Sequence, residues 1–157
     1  MLLDYQIALN DSEGTQLWIP LRDTVVEWVE TTLKYIEYKN DAELTVRIVG
    51  QEEIVALNET FRKKKGATNV LSFPFEQFAD LSIPLLGDIV ICAEVVKKEA
   101  DEQHKSIQSH WAHMLVHGTL HLCGYDHQDE AQAQEMEAVE KSIMNSLGFV
   151  DPYKVVN

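Results

Sequence analysis

The sequence predicts an α+β fold, with a small mixed β-sheet of about four strands covered by about five helices. Three observations predict it. Short strand-like runs are mixed with amphipathic helical stripes, and the helical stripes dominate the C-terminal half. The length of 157 residues suffices for one domain (1–157) with a sizeable core.

The N-terminal half predicts two strands and two helices. Residues 2–9 are predicted to form the first strand. Apolar residues recur at helical spacing over 25–36, which predicts an amphipathic helix. Residues 44–48 alternate apolar and polar side chains, as a half-buried strand does. Apolar positions within 54–61 indicate a short helix that runs into a basic loop.

The C-terminal half predicts two more strands and three helices. Strands are expected over 69–73, ended by Pro74, and over 87–92, with a mobile loop between them over 75–85. The helices are expected over 95–103, over 107–123 and along an apolar stripe from Met136 to Leu147, where Gly148 caps the last one. The acidic run 130–140 is interpreted as the solvated face of that last helix.

Composition indicates an ordinary globular protein, with 45% hydrophobic and 25% charged residues. No run approaches the length of a membrane span, and the N-terminus lacks the basic and apolar regions of a signal peptide. The two cysteines, Cys92 and Cys123, form no C-x-x-C pair, which makes a disulfide framework unexpected. We therefore expect a cytoplasmic protein that does not bind membranes.

A histidine motif near residue 120 predicts a metal site. His117 and His121 are four residues apart in an apolar run, so a helix projects both side chains from one face. Gly124 can adopt the left-handed conformation that ends a helix, and the reversal brings His127 back toward the other two. Three imidazoles leave one coordination position open, which is the catalytic arrangement of zinc. We expect one Zn²⁺ per chain, with Ni²⁺ as an alternative.

Other residues compete for the ligand positions. His113 and His117 have the same four-residue interval, and His110 continues that face of the helix. We favour the later pair because it lies next to the turn that returns His127. Cys123 lies inside the motif and is interpreted as a small core residue rather than a ligand.

The motif H-G-x-L-H-L-x-G-Y-D-H over 117–127 resembles the signature of the YbeY family of bacterial metal-dependent endoribonucleases. Further matching blocks are 57–58, 61–65, 68–74, 86–89 and 147–153. One departure is Asn69, where many relatives have aspartate. The resemblance implies a zincin-like metal-binding helix and a single-strand-specific, zinc-dependent endoribonuclease. Its role would be 3′-end maturation of small-subunit (16S) ribosomal RNA and late ribosome quality control.

The resemblance also implies roles for individual residues. Arg62 matches the arginine of the family, and a guanidinium can hold a phosphate bidentately and stabilise developing charge, so Arg62 and His117 are the expected catalytic residues. Asp126 is expected either to orient an imidazole or to cap the next helix. The remaining candidates are substrate-binding residues: Lys63, Lys64, Lys65 and Ser72.

The charge balance limits how such a protein can hold RNA. A net charge of −13 disfavours broad attraction to a polyanion, because nucleic-acid affinity comes largely from Lys and Arg at phosphates. The basic run 62–65 concentrates positive charge locally. The resemblance implies single-stranded ribosomal RNA as the substrate, the ribosome or a ribosomal protein or assembly factor as partner, and no DNA. The charge balance adds the expectation that the partner supplies most of the docking specificity.

Two other functions stay open at this stage. A metallopeptidase-like hydrolase of the H-E-x-x-H type needs a glutamate directly after the first histidine, and this chain has Gly118 there. A non-catalytic ribosome-assembly factor with a structural metal would need a fourth protein ligand, for which Cys123 is the candidate.

Overall fold

A four-stranded mixed sheet forms the centre of the structure, a computed structural model that describes residues 1–9, 17–75 and 84–154. Its strands are β1 (Leu2–Ala8), β2 (Glu43–Val49), β3 (Val70–Pro74) and β4 (Leu85–Cys92). The helices of the described segments are α1 (Arg22–Tyr35), α2 (Gln51–Arg62), α3 (Ala93–Glu102), α4 (Ile107–Leu122) and α5 (Glu130–Ser146). The predicted α+β class, with its strand and helix numbers, is confirmed.

The strand order is β1-β2-β4-β3, in which β1, β2 and β4 are parallel and β3 is antiparallel to β4. The predicted boundaries differ from the observed ones by only a few residues. Strand β3 ends at Pro74, where the sequence predicted a stop, but Pro74 itself belongs to the strand and pairs with Gly87. An edge strand tolerates proline there because the missing N–H faces away from the sheet. Most of the predicted mobile loop, residues 76–83, lies outside the described residues.

The two faces of the sheet carry different cores. Alternate residues of β4 point to opposite sides, so Ile89 and Ile91 join the larger core under α1, α4 and α5. Val90 and Cys92 join a smaller cluster with Ile54 of α2. The larger core holds α4 against one face of the sheet, whereas α2, with Val95 of α3, packs against the smaller cluster on the other face.

Helix α4 is the most deeply buried helix of the structure, with Trp111 and Leu115 fully enclosed. It begins at a Ser106 cap, whose hydroxyl accepts a hydrogen bond from the Ser109 N–H at 3.1 Å. It ends at Leu122, and Gly124 follows with a φ of +97°. No helix in the described ranges is long and apolar enough to cross a membrane.

Candidate metal centre

The three predicted ligands, His117, His121 and His127, lie together at the C-terminal end of α4. Their candidate ligand nitrogens all lie within 4.8 Å of one another. The Nε2 atoms of His117 and His121 are 3.1 Å apart, because four residues make about one helical turn. The turn at Gly124 brings the His127 ring to 5.1 Å from the His121 ring, centroid to centroid.

This geometry suits a small ion with imidazole ligands. Two nitrogens that each lie about 2.05 Å from a tetrahedral zinc are about 3.3 Å apart, close to the observed Nε2–Nε2 distance. Burial, together with neighbouring His117 and His127, lowers the pKa of His121 to about 4. His121 is therefore a neutral imidazole at physiological pH, which is the form that binds a metal. The three histidines can hold a metal ion.

A cavity of about 540 Å³ opens at these histidines. Residues of α2 and β3 form its other wall, and they include Arg62, Asn69 and Ser72. The structure thus brings the predicted arginine and the predicted ligands to one cavity, although α2 and α4 lie on opposite faces of the sheet.

The guanidinium of Arg62 is tied to the neighbouring strand. Its Nη2 donates to the carbonyl oxygen of Ser72 at 2.5 Å, and its charged carbon lies 5.8 Å from the centre of the Phe73 ring. A guanidinium has five N–H donors, so this bond leaves others for a ligand in the cavity. Phe73 in turn packs edge-on against Phe61, one residue before the arginine.

The predicted substrate-binding residues occupy different positions. Lys64 lines the cavity. Lys63 caps the C-terminal end of α2 and adopts the left-handed conformation, with a φ of +57°. Lys63 and Lys65 are exposed and do not line the described part of that cavity. Ser72 lines it but is buried, and its hydroxyl donates to the Gly118 carbonyl of α4 at 3.2 Å. The serine therefore links β3 to α4, the helix that carries two of the candidate ligands.

Asp126 lines the cavity but bonds to the backbone of its own turn. Its Oδ1 accepts a hydrogen bond from the His127 N–H at 2.7 Å. The alternative role, as cap of the next helix, belongs instead to Asp129, whose Oδ1 accepts from the Gln132 N–H at 2.7 Å.

The carboxylate that contacts a predicted ligand is Glu140 of α5, which sequence reasoning missed. Its Oε1 lies 2.6 Å from His117 Nδ1, its Oε2 lies 2.6 Å from His113 Nε2, and Tyr153 donates its hydroxyl to Oε2. Burial raises the pKa of Glu140, but the hydrogen bonds from the two histidines outweigh it and lower the pKa to about 2. The expected solvated face is found for Glu130, Glu135 and Glu137, which are exposed, but not for Glu140, which is 0% exposed.

The upstream histidines of α4 are buried away from the cavity. His113 turns to Glu140, and His110 Nε2 lies 2.9 Å from Glu99 Oε1. The same Glu99 oxygen accepts from the Asn69 amide at 2.9 Å. An aspartate in place of Asn69 would put a second carboxylate there, so the departure from the family pattern matches the presence of Glu99.

The structure gives little support to the two alternative functions, a metallopeptidase-like hydrolase and an assembly factor with a structural metal. A Cβ atom added to Gly118 would lie 2.9 Å from Ile89 Cγ2, so position 118 faces the sheet and not the metal-site cavity. Burial raises the pKa of the Cys123 thiol to about 11, which disfavours the thiolate that binds metals. The ligand groups found among the described residues contain no cysteine.

Comparison with known proteins gives concordant matches. The model of a protein family described as endoribonuclease YbeY matches residues 8–148. The chain is also similar to the solution structure of TM1509 from Thermotoga maritima, with a TM-score of 0.54 and 23% identity. That match covers 96% of this chain and 99% of the other. At this identity, the structural match supports the fold alone.

Proposed function

Because the chain belongs to the YbeY endoribonuclease family, we propose that it is a zinc-dependent endoribonuclease that cleaves single-stranded ribosomal RNA. The observation that carries the proposal is that one cavity contains both the three-histidine cluster and Arg62. Imidazole ligands suit zinc, nickel and copper better than magnesium or calcium. Zinc is our choice because three histidines with an open position form its usual catalytic site.

Each residue has a distinct task in this proposal. His117, His121 and His127 would hold the ion. A zinc ion held there would supply an activated water and a Lewis acid for a phosphoryl oxygen. Arg62 holds the phosphate with the N–H groups that Ser72 does not use and stabilises the negative charge that develops on it. Lys64, on the same wall, adds positive charge near the phosphate backbone.

The recessed site favours an unpaired strand. The ligand cluster lies inside a cavity between α4 and β3, not on a flat surface. A single strand can turn its phosphate and bases into such a cavity, whereas the stacked bases of a duplex hold the backbone straight. Cleavage within RNA can use the neighbouring 2′-hydroxyl, so no glutamate at position 118 is required.

The electrostatics favour recognition with a partner. The net charge of −13 repels a polyanion over most of the surface, and the basic run 62–65 supplies only local attraction. We propose that the ribosome, or a ribosomal protein or assembly factor, brings the RNA to the cavity. In that setting the enzyme, acting as a single cytoplasmic domain, matures the 3′ end of small-subunit ribosomal RNA and takes part in late ribosome quality control.

The experiment that tests the proposal compares RNA cleavage by Arg62→Ala, by His117→Ala/His121→Ala and by two matched controls. Arg22 is the control for Arg62, because its Nη2 also donates to a strand carbonyl, that of Leu3, at 2.9 Å. His104 is exposed and is the histidine control. The substrates are a single-stranded ribosomal RNA fragment, its duplex and a peptide, and zinc content and a melting curve accompany each preparation.

We expect Arg62→Ala to lower the single-strand cleavage rate by about 100-fold or more, as loss of one charge-stabilising donor does elsewhere. The double histidine variant should lose both zinc and cleavage. Arg22→Ala and His104→Ala should cleave like the wild type, and duplex and peptide should remain intact. Unchanged cleavage in the histidine variant would identify a contaminating nuclease and refute the proposal, and peptide turnover would favour a metallopeptidase.

A further inference from the structure

Glu140 is a carboxylate on a helix face whose other residues are apolar. It lies on the buried side of α5 with Met136, Ile143 and Met144, and it is 0% exposed. A buried carboxylate is unfavourable unless hydrogen bonds replace the lost water. A methionine or leucine would fill such a position without that requirement, so packing alone does not explain the residue.

One carboxylate oxygen of Glu140 contacts a candidate metal ligand. Glu140 Oε1 lies 2.6 Å from Nδ1 of His117. The other nitrogen of the same ring, Nε2, lies 3.1 Å from His121 Nε2. The contact with Glu140 therefore fixes which edge of the His117 ring faces the other candidate ligands.

The other oxygen of Glu140 is held from two sides. His113 Nε2 lies 2.6 Å from Oε2, and Tyr153 donates its hydroxyl to the same oxygen. The Tyr153 ring also packs edge-on against His113, with centroids 5.3 Å apart. The segment that carries Tyr153 is fixed in turn, because Lys105 Nζ donates to the Pro152 carbonyl at 2.6 Å.

We infer that Glu140 is a positioning residue of the metal centre, which holds the His117 ring with Nε2 toward His121 and is itself held by His113 and Tyr153. The inference rests on the metal site of the proposed function and adds the residues that orient it. A carboxylate bound to the far nitrogen of a metal-binding histidine fixes the tautomer and the ring orientation. The C-terminal segment is thereby coupled to a site whose cavity it does not line.

The test uses two isosteric changes, Glu140→Gln and Tyr153→Phe. Glu99→Gln is the control for the first, because Glu99 also binds a histidine of α4, His110, which is not a predicted ligand. Tyr5→Phe is the control for the second, because the Tyr5 hydroxyl donates to a carbonyl remote from the site, that of Pro20, at 2.8 Å.

Three quantities are measured for each variant of the full chain. The first is Zn²⁺ affinity, by competition of metal-stripped protein with a chromophoric chelator. The second is the tautomer of His117 in the metal-free protein, from ¹⁵N NMR of the imidazole nitrogens. The third is the melting temperature. None of these depends on RNA cleavage, so a wild type that binds zinc but cleaves no RNA would remove the proposed nuclease function and leave this test intact.

We expect Glu140→Gln to lower zinc affinity by about 10–100-fold, the usual effect of removing such a partner. Tyr153→Phe should lower it less, both controls should leave it unchanged, and only Glu140→Gln should shift His117 away from the Nδ1–H tautomer. Wild-type zinc affinity in Glu140→Gln and Tyr153→Phe, with only the melting temperature lowered, would overturn the inference. If Glu140→Gln does not fold, the Tyr153→Phe variant, changed at a part-exposed residue, still tests the inference. A wild-type zinc affinity in Tyr153→Phe would then overturn it.

Discussion

Gly118 of α4 packs closely against the sheet, and a single methyl group there tests the packing. In Gly118→Ala, the new Cβ would lie 2.9 Å from Ile89 Cγ2, 3.3 Å from Ile89 Cδ1 and 3.3 Å from Ser72 Oγ. Ile89 is fully buried in the larger core and has little room to move away. The variant must therefore shift either β4 or α4.

Two opposing terms set the size of the effect. Alanine in place of glycine inside a helix stabilises by about 1 kcal/mol. Inserting a methyl group into a close-packed core costs about 1–3 kcal/mol. The net change should be a destabilisation of about 0–2 kcal/mol, and each kcal/mol lowers the melting temperature of a protein of this size by about 2–4 °C.

A double-mutant cycle with Ile89→Ala separates the two terms, because this change removes both isoleucine atoms that the new methyl group meets. Stability is measured by urea unfolding of metal-free protein, so that zinc binding does not contribute. In the Ile89→Ala background, Gly118→Ala should become stabilising by about 1 kcal/mol, giving a coupling energy of about 1–3 kcal/mol. Additive effects of the two changes would refute the packing argument.

Three further predictions concern the backbone, acid stability and the metal. In Gly87→Ala, at a φ of +139°, the new Cβ would lie 2.2 Å from the Phe73 carbonyl oxygen. We expect this change to lower the free energy of unfolding by about 3 kcal/mol or more. The control Gly148→Ala, where the new Cβ has open space, should lower it by about 1 kcal/mol. Burial raises the pKa of Glu99, but hydrogen bonds from neighbouring side chains outweigh burial and lower the pKa below its ordinary value of 4.5. The ionised Glu99 therefore stabilises the fold fully above pH 4.5, and this stabilisation is lost as the pH falls below 4.5. The difference in melting temperature between wild type and Glu99→Gln should thus shrink as the pH is lowered from 7 to 3, and the exposed control Glu102→Gln should show no such trend. Chelation of the metal should lower the melting temperature, because a bound ion stabilises the folded chain. The far-UV circular dichroism spectrum should stay the same and unfolding should stay cooperative, because the larger core contains none of the three candidate ligands. A chain that unfolds on chelation would contain a structural metal instead.

The grouping of the three candidate metal ligands could be predicted from the sequence because their geometry is local. His117 and His121 are separated by about one helical turn, and the position of His127 follows from the turn at Gly124. That spacing puts the first two imidazole rings side by side on one face of α4, whereas the 3.1 Å between their Nε2 atoms also depends on how each ring is turned. No knowledge of the sheet is needed to place these three side chains together.

Glu140 could not be placed in the same way because its partners lie on another helix. The acidic run that contains it predicts a solvated face, and only the packing of α5 against α4 brings it to His117. One signal was available: Glu140 is four residues after Met136 and three before Ile143, both of which are buried. The residue therefore lies on the apolar stripe that predicts the core, where an acidic side chain needs a partner.

The Ser72 link has a consequence for how this site can diverge between relatives. Arg62 is fixed to the backbone oxygen of Ser72, and the Ser72 hydroxyl is fixed to the metal-binding helix. Both contacts that join Arg62 to the histidine-bearing helix thus pass through one residue of β3 and not through the loop that follows Arg62. Under the proposed function, insertions or charge changes in residues 63–68 should alter which RNA is selected while these two contacts stay in place, so this loop is a natural place to engineer new specificity.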